Sequence, residues 1–80
     1  MPRYTIEEEI EILVDAGLLT EKQAEAYIRR QVECEPGYAI AEYMGISEST
    51  LSGYVSDAED KIEAARKTLE GLEEIRYQVP

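Results

Sequence analysis

The run GYAIAEYMGISESTLSGYVS, from Gly37 to Ser56, decides the fold. Counting from Gly37, Ala41 stands fifth, where two crossing helices leave room only for a small side chain. Gly45 stands ninth, where a sharp turn between helices favours a positive φ. Ile40, Met44, Ile46 and Leu51 fall fourth, eighth, tenth and fifteenth, at the inward-facing places. Tyr54, eighteenth, is bulkier than usual for its place. Steric, backbone and apolar demands are met together. The run therefore reads as a helix-turn-helix rather than as an ordinary helical hairpin.

Upstream, Thr20 and Gln23 have the spacing of a capping box and open a helix over 20–34. Ala24, Tyr27, Ile28 and Val32 form its inward stripe, and Glu25 with Arg29 is a helpful i,i+4 pair. Glu35-Pro36-Gly37 ends it, and Pro36 suits the first turn of the next helix. Further upstream, Thr5 and Glu8 repeat the capping box and open a helix over 5–16. Glu7, Glu8 and Glu9 load its first turn with charge that the helix dipole favours. Ile6, Ile10, Leu13 and Val14 make one stripe, and Gly17 supplies a left-handed stop.

Downstream, Ser47 caps a helix that runs to about Ile75, so residues 57–76 extend the helix-turn-helix of 37–56. Leu51, Val55, Ala58, Ile62, Ala65, Leu69 and Leu72 alternate by four and three, a heptad seam. Gly53 is its weak point, costing about 1 kcal/mol against Ala. Glu63–Lys67 and Asp57–Lys61 are spaced as i,i+4 pairs on the outer face. No alternating run or hairpin turn signals a strand. The expected architecture is all-α: one tetrahelical helix-turn-helix domain over 1–80 with a long C-terminal helix.

The chain has 80 residues, of which 44% are hydrophobic, enough for one small core and too many for wholesale disorder. Eighteen acids against eight bases give a net charge of −10. Such a surface stays hydrated in concentrated salt, so a halophilic origin is expected. There is no histidine, and Cys34 is the one cysteine. Internal disulfides, Ser–His or Cys–His nucleophiles and His-ligated metals are thereby excluded within one chain. Cys34 reads as a small reduced filler. No paired acids stand out from a solvated acidic surface, so no enzyme, cofactor or metal is expected, and no segment has the signature of an effector pocket. No apolar run reaches signal or membrane-spanning length, so a cytoplasmic protein without a membrane partner is expected.

LTEKQAEAYIRR (Leu19 to Arg30), IAEYMGISESTLS (Ile40 to Ser52) and KIEAARKTLE (Lys61 to Glu70) together resemble the Tfx family of archaeal DNA-binding regulators. The first two segments also resemble sigma-70 region 4. The resemblance implies transcription regulation, with double-stranded DNA as partner and Ser47 to Ser56 as the helix that enters the major groove. Departures lie at Cys34, Glu35, Pro36, Gly37 and Tyr38, at the entrance to the third helix. Ser52, Gly53 and Ser56 also stand where relatives often carry Lys, Arg or Asn.

The candidate DNA-binding residues on that helix are Glu48, Ser49, Thr50, Ser52, Gly53 and Ser56. Hydroxyls bond to several bases and discriminate weakly, and Glu48 either accepts from a cytosine amino group or steadies the helix N-terminus. Arg29 and Arg30 are the candidate phosphate contacts, with Lys22, Lys61 and Arg66 as further cations. The alternative is a helix-turn-helix scaffold without DNA contact that binds a protein such as transcription machinery; the net charge and the bare helix favour it.

Ile62, Ala65, Leu69 and Leu72 are the candidate dimerisation residues of a homodimer. With Val55 as heptad position a, Glu59, Arg66 and Glu73 are e, and Lys61, Thr68 and Ile75 are g. A parallel pair would set Lys61 against Arg66 of its partner, which repels. The seam either packs on the first helix or pairs between chains, or divides the two roles along its length.

Overall fold

The computed structural model describes residues 3–78 as an all-α chain: α1 (Ile6–Asp15), α2 (Glu21–Tyr27) continuing through a π-helical turn (Ile28–Val32), α3 (Gly37–Met44) and α4 (Glu48–Gln78). Both predicted capping boxes form. The Thr5 hydroxyl accepts from the Glu8 N–H at 3.1 Å while the Glu8 carboxylate accepts from the Thr5 N–H at 2.8 Å. Thr20 and Gln23 exchange the same two bonds, each at 3.2 Å. Gly45 takes φ 71° between α3 and α4, as the turn demands.

The core has two parts with α2 between them. Ala26, Ile40, Ala41, Leu51 and Val55 are buried together, with Met44, Ile46 and Tyr54 packed against them. This is the helix-turn-helix core. Leu19, Ala24 and Ala58 form the second part, with Ile10, Leu13, Val14, Tyr27 and Ile62 packed around them. Ala24, Ala26 and Ala58 are wholly buried, and such small side chains let α2 and α4 approach closely. Lys61 Nζ donates to Gln23 Oε1 at 2.7 Å and fastens α4 to the start of α2. That bond replaces the expected Asp57–Lys61 pair; Glu63–Lys67 does form, at 3.8 Å.

The second helix departs from the sequence expectation. It does not run as one α-helix to Cys34. From Ile28 the backbone widens, and the Glu33 N–H donates to the Ile28 carbonyl five residues back at 2.8 Å. One extra residue in a turn rotates later side chains by about 100° relative to an α-helix. Val32, expected inward, is consequently exposed, and Arg29 is buried. Cys34 follows at φ 58° with its thiol exposed, so it is not a core filler.

α4 is unbroken through Gly53. Its 31 residues span about 46 Å, most of the molecule's 54 Å length. Ile62 packs within the chain and Ala65 is half-buried, whereas Leu69, Leu72 and Ile75 are exposed. The upper seam is thus covered by α1 and α2, which removes Ile62 from a free dimerisation face. No helix among the described residues is long and apolar enough to cross a membrane.

Candidate nucleic-acid interface

Leu51, Tyr54 and Val55 turn the first half of α4 onto the helix-turn-helix core. The opposite face is left to Ser49, Ser52, Gly53 and Ser56, all exposed and spaced so that they share one side of the helix. The structure therefore brings four of the sequence-predicted residues together. Space is open around Gly53: a Cβ placed there would meet nothing within 4 Å.

The first turn is tied inward on itself. Ser47 Oγ accepts from the Thr50 N–H at 3.1 Å, donates to Thr50 Oγ1 at 2.9 Å and lies 3.1 Å from Ser49 Oγ. Thr50 therefore serves the cap, although it is exposed. Glu48 is exposed beside the N-terminal end of the helix, where its charge complements the dipole. Glu48 and Ser52 also edge a hollow of ≈ 230 Å³ that Arg30 and Gln31 of the π turn line from the other side. Arg30 is exposed and reaches the Glu35 carbonyl at 3.5 Å, so its guanidinium stays beside the first half of α4 and open to solvent.

Arg29 has a different fate from the one expected for a phosphate contact. It is 9% exposed. Its Nε donates to Glu25 at 3.1 Å, a second guanidinium nitrogen reaches Glu35 at 3.5 Å, and the guanidinium lies 4.4 Å from the Tyr43 ring centre. Burial opposes its charge, but the Glu25 hydrogen bond and the Glu35 and Glu25 charges outweigh burial and raise its pKa. Arg29 thus pins the π turn to α3 and is withdrawn from any backbone contact. The guanidinium of Arg66 is likewise held by Glu63 and by Glu70. Of the candidate phosphate contacts, Arg30 and Lys22 remain exposed without an ion pair; Arg76, near the far end of α4, is likewise exposed and unpaired among the described residues.

Two features escaped the sequence reading. One guanidinium nitrogen of Arg3 donates to both Glu33 carboxylate oxygens, at 3.0 and 3.2 Å, across 30 residues. Beside it, Glu9 has an oxygen buried with no hydrogen-bond partner. Desolvation first, and then the neighbouring Glu33 carboxylate, raise the Glu9 pKa, while Arg3 opposes them. The second feature is a cleft of ≈ 380 Å³ between α1, α2 and α3, floored by Ile10 and Val14 and rimmed by Glu7, Glu11 and Tyr43. Neither could be read from local spacing, because each joins segments distant in the chain. No group of metal-ligating side chains occurs among the described residues. Comparison of the chain with protein-family models, curated proteins and solved structures finds no match.

Proposed function

We propose that this protein binds duplex DNA by laying the first three turns of α4 in the major groove, and that it regulates transcription, acting in the cytoplasm. The observation that carries this reading is the face made by Ser49, Ser52, Gly53 and Ser56. It is exposed, free of large side chains, and carried on a helix that Leu51, Val55 and the Gly45 turn hold rigidly. A helix of this width and freedom fits the groove, and Ser hydroxyls both donate to and accept from base edges. The resemblance to Tfx-type regulators supports the same helix in the same role.

Electrostatics set the terms of such binding. With Arg30 and Lys22 as the exposed unpaired cations among the candidate phosphate contacts, and Arg76 far along α4, each chain neutralises about two phosphates. Affinity then falls with salt at a slope of about −2 in log–log form, far shallower than for a basic binder. Fluorescence anisotropy with duplexes selected from a genomic pool, titrated in KCl up to molar concentration, tests this. A shallow slope and loss of binding on substituting both Ser52→Glu and Ser56→Glu are expected. Failure to bind any duplex at any salt would sink the proposal.

A second reading is favoured by a specific observation: the locked Arg29 beside a recognition helix without Lys or Arg from Ser47 to Ser56. In that reading the same Ser face contacts a protein of the transcription machinery. It predicts no DNA binding, together with a polymerase-associated partner whose capture the same two Glu substitutions abolish.

A further inference from the structure

Past the half-buried Ala65, the apolar side of α4 has no cover among the described residues. Leu69, Leu72 and Ile75 are 63%, 52% and 64% exposed. They lie on an overhang of about four turns, a length at which an unpacked helix is only marginally stable in water. We propose that this tail pairs antiparallel with the tail of a second copy of the chain, Leu69 of each copy packing against Leu72 of the other.

Charge and burial select the second copy and its register. In a parallel pair, Lys61 would meet Arg66 of the other copy, and Lys61 is already committed to Gln23. In an antiparallel pair, e positions face e positions and g positions face g positions. Setting Leu69 opposite Ala65 of the other copy brings the two Arg66 side chains together, which repels. Setting it opposite Ala58 requires a surface that is already wholly buried under Leu19 and Ala24. Setting it opposite Leu72 brings Arg66 to Glu73 of the other copy, twice by symmetry. The same register lays the long Arg76 stem over Ala65 of the other copy, large against small. Arg66 is exposed and touches only acids of its own helix, so it can be shared with another. The helix-turn-helix bodies then lie at opposite ends of the seam and do not collide.

This pairing does not depend on DNA binding. The seam is short, so the interface falls at the small end for specific complexes, on the order of 1,000 Å² in total, and dissociation in the micromolar range follows. Sedimentation equilibrium of the full chain in reducing buffer at about 0.15 M KCl tests it, with circular dichroism recorded on every variant. The wild-type chain should pass from monomer to dimer with concentration. Arg66→Glu or Glu73→Arg alone should weaken the dimer at least tenfold, and the double swap should restore it. Restoration is specific to the antiparallel register, because a parallel pair sets position 66 against Lys61 and position 73 against Thr68. A monomer at all concentrations, a dimer indifferent to the single swaps, or a double swap that does not rescue would each overturn the proposal.

Discussion

The two halves of α4 follow one heptad pattern and meet opposite fates. In the first half, Leu51, Val55 and Ala58 are buried and Ile62 is packed. In the second, Leu69, Leu72 and Ile75 stand in solvent. The spacing of apolar residues is the same, so spacing defines a face without naming what covers it. Cover comes from α1 and α2 and reaches as far as Ile62. The first half is therefore part of the fold, and the second is a helix with an unmet apolar stripe.

The largest test of that contrast pairs two truncations. Leu51→Ala should destabilise the monomer by about 2–5 kcal/mol, the range for emptying a packed core site. Leu72→Ala should change monomer stability by less than about 0.5 kcal/mol, as surface substitutions do. Urea denaturation at submicromolar protein, below the range of self-association, measures both. Similar losses would mean that the tail is covered within one chain after all.

A smaller effect sharpens the first half alone. Gly53→Ala should stabilise α4 by about 1 kcal/mol, because the added methyl meets nothing in the fold and removes a helix-weakening residue. Thermal melts read the gain. If the proposed groove contact needs a bare backbone at Gly53, DNA affinity should fall in the same variant. Stability and binding would then move in opposite directions, which separates the two roles of this half.

The smallest effect concerns Glu9, on the helix that covers the first half. Its folded pKa is raised, so the folded state holds that proton more tightly than the unfolded chain does. The resulting stability is present below the ordinary carboxyl range and is lost as pH rises through the folded value. Glu9→Gln should therefore raise the melting temperature at pH about 7 and leave it nearly unchanged well below the ordinary Glu pKa of about 4.3. An equal gain at both pH values would place the strain elsewhere than in the Glu9 charge.

Much of this architecture was legible in local sequence. Thr5, Thr20 and Ser47 announce their caps because capping is settled within four residues. Gly17 and Gly45 mark positive φ, and both adopt it. Ile40, Ala41 and Leu51 are buried as the helix-turn-helix spacing requires. The π turn was not legible, since a periodic reading assumes 3.6 residues per turn throughout. Its consequences were missed with it: the exposure of Val32, the left-handed Cys34 and the burial of Arg29. Of the candidate DNA-contacting residues, the Ser face was readable because it is the complement of the Leu51 and Val55 stripe. The fate of Arg29 was not, because Glu35 and Tyr43, which help to hold it, come from beyond the π turn.

Cys34 carries a practical corollary. It is the chain's single thiol, it is exposed, and it follows directly on the turn that presents Arg30. A maleimide dye would therefore attach at one defined point beside the π turn without any engineered residue. The same accessibility makes air a confounder. Two chains joined through Cys34 would have the mass of a seam dimer, so only a dimer that survives in reductant, or in a Cys34→Ser background, reports on the tail of α4.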